Sequence, residues 1–233
     1  MAYFSESILP LIYPLIIIFI YLAALVTVAE TLNRLITEDP ELTRKVVHIG
    51  SGNVILLAWW LDIKAEVIIS AAVIAAIIAL ISYVTPILPS INSVGRKSLG
   101  TLFYAVSIGI LTQLFWRDRP EYTAIGILVM AWGDGMAAII GQRFGKHKYR
   151  VWGIEKSWEG SAAMAIATMT VTFTILLFSQ GNSLQSWSTA IIVAVSATAL
   201  EAFSKLGIDN LSVPLISGAI CYICERLNQY LHI

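Results

Sequence analysis

Long apolar runs separated by short polar segments are the main pattern along this chain. A membrane-spanning helix needs about 20 mostly apolar residues, because each residue rises about 1.5 Å across a hydrocarbon core of roughly 30 Å. Six runs meet this requirement, at residues 7–29, 63–84, 99–116, 121–141, 160–178 and 187–203. Two weaker runs, 46–61 and 211–230, contain ionisable residues. The pattern predicts an all-α, multi-pass transmembrane protein with about eight spanning helices.

The composition supports a membrane protein and excludes several other classes. Of the 233 residues, 58% are apolar and 13% are charged, whereas about 25% are charged in a typical soluble domain. The mean hydropathy is +0.78. Fifteen basic and fifteen acidic side chains give a net charge of zero, so the chain has no broad basic surface for a nucleic acid. Because no internal repeat is visible, residues 1–233 are predicted to form a single domain.

Lysine and arginine residues fall mainly in one set of the predicted loops. With eight spans, the odd-numbered loops hold eleven of them: Arg34, Arg44, Lys45, Arg96, Lys97, Arg143, Lys146, Lys148, Arg150, Lys156 and Lys205. The opposite side holds the remaining four: Lys64, Arg117, Arg119 and Arg226. Cytoplasmic loops of membrane proteins are enriched in lysine and arginine. The odd-numbered loops, including the polar segment 141–161, are therefore predicted to be cytoplasmic and both termini to lie outside.

Two carboxylates flank the basic segment 141–161. Asp134 lies inside a predicted span, where a charge costs about 2.5–3.5 kcal/mol, and Glu159 lies where the chain re-enters the membrane. One interpretation of the segment is a solvated loop that obeys the positive-inside rule. The other is a metal–polyphosphate site, in which Mg²⁺ takes carboxylate oxygens and basic side chains neutralise phosphate. Small residues at every fourth position from Gly133 to Gly145 also predict a close helix–helix contact.

A basic group stands at the predicted cytoplasmic entrance of the second span. Arg44, Lys45 and His48 are spaced i, i+1 and i+4, so on a helix they share one face. They are either an interfacial anchor, with Glu41 pairing Lys45, or a phosphate clamp in which His48 carries a proton near neutral pH. The spacing alone leaves both interpretations open.

Further ionisable residues map to the same predicted membrane face. Arg96 and Lys97 are either a positive-inside flank or phosphate contacts. Asp209, at the start of the last span, is either a helix cap or part of a site, and Glu201, late in the seventh span, is a further candidate acid. A phosphate-bearing substrate from the cytoplasm would meet a partner dissolved in the membrane at this face.

Six motifs resemble those of the polyprenol kinase family, in particular the compact phytol kinases of cyanobacteria and plastids. They cover about residues 41–217 and occur in this order: Arg44-Lys45-x-x-His48, Gly95-Arg-Lys-Ser-x-Gly-Thr101, Trp132-Gly-Asp-x-x-Ala137, Gly141-x-Arg-Phe-Gly-Lys146, Lys156-Ser-Trp-Glu-Gly-Ser161 and Gly207-Ile-Asp-Asn-Leu-x-Val-Pro-Leu215. The family is also similar to CDP-diacylglycerol synthases, which share part of this pattern and use CTP differently.

The resemblance implies a multi-pass enzyme that transfers a phosphoryl group from CTP, with Mg²⁺, to a long isoprenoid alcohol. For phytol kinases that alcohol is phytol released from chlorophyll, which they return toward tocopherol. Catalytic roles are predicted for Asp134, His48, Lys156 and Glu159, and Mg²⁺ ligation for Asp134, Glu159 and Asp209. Nucleotide or phosphate binding is predicted for Arg44, Lys45, Arg96, Lys97, Arg143, Lys146, Lys148, Ser157 and Asn210. Either Asp134 or His48 would take the proton of the alcohol.

Two other functions compete with this interpretation. The first is a cytidylyltransferase that condenses CTP with a lipid phosphate. The second is a transporter with coupling-ion sites at Asp134 and Glu201, although transporters usually show repeated halves and this sequence shows none. The expected partners of the kinase are CTP, a prenyl alcohol and membrane lipid. Its expected location is the cell or thylakoid membrane, if the source is a cyanobacterium, with the active site facing the cytoplasm.

Overall fold

The structure is a computed structural model that describes residues 2–35, 40–84 and 99–231. In these ranges four helices are long and apolar enough to cross a membrane: Ile12–Arg34, Ala65–Tyr83, Pro120–Phe144 and Trp158–Gln180. A further apolar helix, Gly100–Phe115, is shorter. The predicted class, a multi-pass helical membrane protein, is confirmed, and the count of eight spans stays a prediction. Arg96 and Lys97 lie outside the described residues.

Ten α-helices, one π-helical segment and two strands are described. Their bounds are α1 Ala2–Leu35, α2 Pro40–Gly52, α3 Val54–Trp60, α4 Ala65–Val84, α5 Gly100–Phe115, α6 Pro120–Leu128, the π segment Val129–Asp134, α7 Gly135–Phe144, β1 Lys148–Val151, β2 Ile154–Ser157, α8 Trp158–Gln180, α9 Leu184–Ala202 and α10 Asp209–Leu231. Two compact units contain them, residues 1–64 and residues 65–233. The single domain over residues 1–233 stays a prediction.

The first unit consists of the long helix α1 and the two short helices α2 and α3. The Tyr21 hydroxyl on α1 donates to the carbonyl oxygen of Gly50 on α2 at 2.8 Å. The weaker predicted span 46–61 is divided between α2 and α3, which meet at Asn53. Glycine, serine and asparagine in the run 50–53 are poor helix formers, which explains why the helix is interrupted there.

The centre of the second unit is one continuous helical path, Pro120–Phe144, made of α6, the π segment and α7. Every residue from Glu121 to Ala131 is buried, because α8 and α10 pack against this path. A π turn contains an extra residue and is frequent at functional sites. The Tyr104 hydroxyl on α5 donates to the carbonyl oxygen of Ile127, just before the π segment, at 3.2 Å.

A β-hairpin occupies part of the polar segment 141–161, where the sequence predicted only a loop. Strands β1 and β2 pair antiparallel, with Tyr149 opposite Lys156. Trp152 and Gly153 join the strands and have φ angles of 49° and 81°, which is the backbone of a two-residue hairpin turn. Ser157 ends the hairpin and caps α8, since its Oγ accepts the Gly160 N–H at 3.1 Å.

Candidate functional site

A pocket of about 200 Å³ lies beside the hairpin in the second unit. Its wall combines α7, the hairpin, the first turn of α8 and the end of α9. The charged side chains in this wall are Asp134, Lys148, Glu155, Lys156 and Glu201. Lys148, Lys156 and Asp134 were predicted site residues, and the structure brings them together at one pocket.

The floor of the pocket is formed by small residues where α7 and α8 approach closely. Ala137, Ala138, Gly141 and Gly160 all line it. A Cβ atom on Gly160 would lie 2.9 Å from the carbonyl oxygen of Ala137 and 3.3 Å from the Cα atom of Gly141. The predicted close contact along this helix face is therefore confirmed. Because side chains are small here, a ligand in the pocket would meet backbone atoms directly.

Lys156 and Glu201 form an ion pair in the pocket wall. The Lys156 Nζ atom lies 2.5 Å from Glu201 Oε1 and also donates to the Glu201 carbonyl oxygen. The side chains are only 16% and 12% exposed. Strand pairing aims Lys156 at the end of α9, because its neighbours in β2, Glu155 and Ser157, point to the other face of the strand.

Glu159 lies outside the residues that line the pocket and binds the preceding loop. Its carboxylate accepts the backbone N–H of His147 at 3.2 Å, and Oε1 lies 2.6 Å from the His147 Nδ1 atom. Glu159 is the second residue of α8, where a negative charge interacts favourably with the helix dipole. Its catalytic and metal-binding roles stay predictions, and its observed contacts hold the start of the hairpin against α8.

Asp134 is the last residue of the π segment and lines the pocket. It lies about 15 Å along the helix axis from Phe144, the last residue of α7. Asp134 is close enough to Glu201 for their carboxylates to repel each other, and Asp209 also repels Glu201. Three acidic side chains therefore influence the same part of the site.

Asp209 and Asn210 begin α10 and form local hydrogen bonds. The Asp209 backbone N–H donates to Ser204 Oγ at 2.7 Å, and its carboxylate accepts the Asn210 N–H at 3.1 Å. The capping interpretation of Asp209 is consistent with these contacts. In the described part of the chain, no three His, Cys, Asp or Glu side chains gather as a metal site, so Asp134, Glu159 and Asp209 do not form one cluster. The Mg²⁺ ligands stay predictions.

The remaining basic candidates of the second unit lie on or near the hairpin. Lys148 and Arg150 lie on one face of β1 and approach Glu155 at 3.6 and 3.5 Å. Arg143 and Lys146 are exposed. Surface ion pairs of this kind contribute little stability, and the phosphate-binding roles of Arg143, Lys146 and Lys148 stay predictions.

The basic group Arg44, Lys45 and His48 belongs to α2 in the first unit, whereas the pocket belongs to the second. Arg44 forms a two-point ion pair with Glu41, at 2.9 and 2.5 Å. Sequence spacing predicted that Glu41 would pair with Lys45, and this pairing stays a prediction. Lys45 is buried, with 6% of its surface exposed. The clamp and proton-carrier roles stay predictions.

Several residues of the pocket gave no clear signal in the sequence. Gln142 and Glu155 line it, and neither was a predicted site residue. Glu155 belongs to β2, and eight strand residues among many charges did not predict a hairpin. Ser161, the last residue of one of the sequence motifs, also lines the pocket, and its Oγ lies 2.6 Å from the Tyr149 hydroxyl. Glu201 was a candidate because an acid late in a span is unusual, but its partner Lys156 was not foreseen. Ser157 lines the pocket, with its hydroxyl used as the α8 cap.

Comparisons with known proteins show what the whole chain is similar to. The model of the "Cytidylyltransferase family" matches residues 4–207. The chain is 53% identical over 203 residues to a phytol kinase of Synechocystis sp., covering 87% of each chain. It is 31% identical over 221 residues to phytol kinase 1, chloroplastic, of Arabidopsis thaliana, covering 86% of this chain and 72% of that protein. A probable chloroplastic phytol kinase of Triticum aestivum is 30% identical over 218 residues, with 84% and 70% covered. No solved structure matches the chain.

Proposed function

The chain belongs to the cytidylyltransferase family, in the group that includes the phytol kinases, and we propose that it is a CTP-dependent phytol kinase. It would transfer the γ-phosphoryl group of CTP to the hydroxyl of phytol, giving phytyl phosphate and CDP. The observation that carries this proposal is the pocket whose lining includes Lys148, Lys156 and Asp134. Basic side chains beside a carboxylate suit a phosphoryl group and its counter-ion.

The pocket would hold the reacting phosphates rather than the whole nucleotide. Its volume of about 200 Å³ is below the roughly 300–1,000 Å³ of pockets that enclose a small ligand. Lys148 and Lys156 would bind phosphate oxygens there. Arg143 and Lys146, which are exposed near the hairpin, would attract the remaining charge of CTP from solvent.

Mg²⁺ is compatible with the residues of the pocket. This ion usually takes one or two carboxylates and completes its shell with phosphate oxygens and water, so three clustered acids are unnecessary. Asp134 would hold it, because this acidic residue lines the pocket together with Lys148 and Lys156. When bound, Mg²⁺ would neutralise charge on the phosphates. In the protein, Lys148 and Lys156 would orient the same phosphates for attack.

The alcohol would enter from the membrane and meet the deep end of the pocket. Asp134, which belongs to a predicted span, would lie at this end, whereas Lys148 and Glu155 belong to the hairpin. Such an arrangement suits a hydroxyl that arrives on an apolar chain and a phosphate that arrives from solvent. Phosphoryl transfer depends mostly on positioning and charge stabilisation, so a strong base is unnecessary, and Asp134 would accept the proton.

The family also contains cytidylyltransferases, and this provides the second candidate function. Such an enzyme would join CTP to a lipid phosphate and release pyrophosphate. Membranes containing the protein should be incubated with CTP labelled in the base or in the γ-phosphate, together with phytol or phosphatidate. The kinase predicts labelled phytyl phosphate from γ-labelled CTP, with CDP as the second product. Pyrophosphate and a CDP-lipid would instead establish the cytidylyltransferase.

The hairpin and the pocket would face the cytoplasm, where CTP is available. The lysine and arginine distribution along the sequence supports this orientation. A single cysteine at Lys148, with Cys221 and Cys224 replaced by serine, should resist an impermeant thiol reagent in intact cells and react after the membrane is opened. Reaction in intact cells would place this loop outside and contradict the orientation.

A further inference from the structure

Two acceptor groups of a single residue bind the Lys156 ammonium group, and together they fix its position. It donates to the Glu201 carboxylate and to the Glu201 main-chain carbonyl at the end of α9. The last carbonyl groups of a helix carry partial negative charge, so both acceptors favour the charged lysine. The lysine side chain, 16% exposed, still lines the pocket.

The surroundings of Glu201 are not those that stability alone would favour. Asp134 and Asp209 both repel its carboxylate. A buried ion pair also contributes little net stability compared with an apolar contact of similar volume. An acidic residue that is repelled by two other acids, bound to Lys156 and placed in the wall of a pocket points to a functional role.

The hairpin has other attachments that do not depend on Glu201. The Tyr149 hydroxyl is 2.6 Å from Ser161 Oγ on α8. The Trp152 ring lies 5.8 Å from the Phe203 ring, and the Lys205 ammonium lies over Trp152 at 5.7 Å. Loss of the Glu201 carboxylate would therefore leave the hairpin attached at its base and at its tip. The main change would be the freedom of the Lys156 side chain.

We propose that Glu201 is a positioning residue for phosphoryl transfer, which acts by holding the Lys156 ammonium group at the pocket. This proposal rests on the proposed kinase function. Long lysine side chains have many rotamers, and fixing one of them before the nucleotide binds lowers the entropic cost of reaching the transition state. Glu201 itself would contact neither the nucleotide nor the alcohol.

A double-mutant cycle tests this role, because it separates action through Lys156 from an independent one. The variants are Glu201→Gln, Lys156→Met and the double variant, with rates measured against CTP concentration at saturating phytol. Glu201→Gln should lower kcat/KM for CTP about tenfold and Lys156→Met about 10²-fold, the scale of losing one electrostatic contact. The double variant should lose no more than Lys156→Met alone. Glu201→Asp, whose carboxylate is one methylene shorter, should fall between wild type and Glu201→Gln.

A matched control is available at the other end of the second unit. Glu225 forms an ion pair of the same length with Arg119, 2.5 Å, and its side chain is 15% exposed. Glu225→Gln should lower the thermal midpoint without changing kcat/KM. If Glu201→Gln behaves in the same way, Glu201 is structural and the proposal is wrong.

One other result would also overturn the proposal. If the losses of the single variants multiply in the double variant, to about 10³-fold, Glu201 acts independently of Lys156, for example as a metal ligand. Should Glu201→Gln fold poorly, the same cycle with Glu201→Asp gives the same test. The proposed function fails in a different way: wild-type membranes would then form no phytyl phosphate at all.

Discussion

Two ion pairs of equal length, each with a largely buried carboxylate, lie at opposite ends of the second unit and differ in what surrounds them. At the hairpin end, Lys156 and Glu201 border an open pocket. At the other end, the Glu225 carboxylate accepts hydrogen bonds from Arg119, Tyr122 and Gln229. Gln180, the last residue of α8, donates to the Tyr122 hydroxyl at 3.0 Å. Helix α8, which is about 34 Å long, separates the two clusters.

The difference shows that a buried charge is not by itself a sign of function. The Glu225 cluster joins α6, α8 and α10 through hydrogen bonds that its own members satisfy, which is the usual arrangement of a structural network. The Lys156–Glu201 pair has further acids beside it and a cavity in front of it. We therefore expect substitutions at the hairpin end to change reaction rates and substitutions at the other end to change stability.

The largest effect is expected for Asp134→Asn. This change keeps the shape of the side chain and removes the charge that would hold Mg²⁺ at the deep end of the pocket. Phytyl phosphate formation should fall by about 10² or more, and the thermal midpoint should stay the same or rise, because a charge inside a span is costly. Rates should be measured in membranes that contain matched amounts of both proteins. A variant that keeps more than about a tenth of the activity would mean that Asp134 is structural.

A smaller effect is expected where helices approach each other. Gly160→Ala places a Cβ atom 2.9 Å from the Ala137 carbonyl oxygen, so α7 and α8 must separate at the floor of the pocket. Because small displacements of reacting groups are costly, kcat should fall by about tenfold. The matched control is Gly126→Ala, whose Cβ atom would lie 2.6 Å from the Pro214 carbonyl oxygen far from the pocket. Gly126→Ala should lower the thermal midpoint in detergent and leave kcat unchanged. An equal loss of kcat in both variants would show that the effect of Gly160→Ala is not specific to the pocket.

The smallest effect on rate is expected for Glu225→Gln. Arg119 and Tyr122 lose a charged acceptor, so unfolding should become easier by about 1–2 kcal/mol, seen as a lower midpoint in thermal denaturation. Arg119 is 45% exposed, so it can turn to solvent, and this limits the loss. The rate at saturating CTP should stay within about twofold of wild type, since no atom of the pocket moves. A tenfold loss of rate would show that the two ends are coupled.

Much of the candidate site could be predicted from local sequence. Asp134 was recognisable because a charge inside an apolar run is expensive wherever the helix packs. Lys148 and Lys156 were recognisable as members of a basic segment on the predicted cytoplasmic side. Each of these inferences uses only neighbours along the chain.

Contacts between distant residues were not predictable in the same way. Lys156 and Glu201 are 45 positions apart, and no spacing rule relates a strand residue to the end of a helix two elements later. The hairpin was not predicted because its two strands contain only eight residues. The alternation of Tyr149, Val151 and Ile154 with charged residues is too short to indicate strands. Glu159 was predicted as a catalytic acid, yet its carboxylate binds His147 in the preceding loop.

The sequence by itself determined that this is a helical membrane protein with an acidic residue in a span and basic segments on one predicted face. Hydropathy and charge act residue by residue, because each side chain is solvated by lipid or water largely independently of the others. Tertiary structure decided which of those residues share the pocket: Asp134, Lys148 and Lys156 do, and Glu159 does not. It also paired Lys156 with Glu201, because ion pairs require a direction and a distance that only the packed helices and the strand register supply.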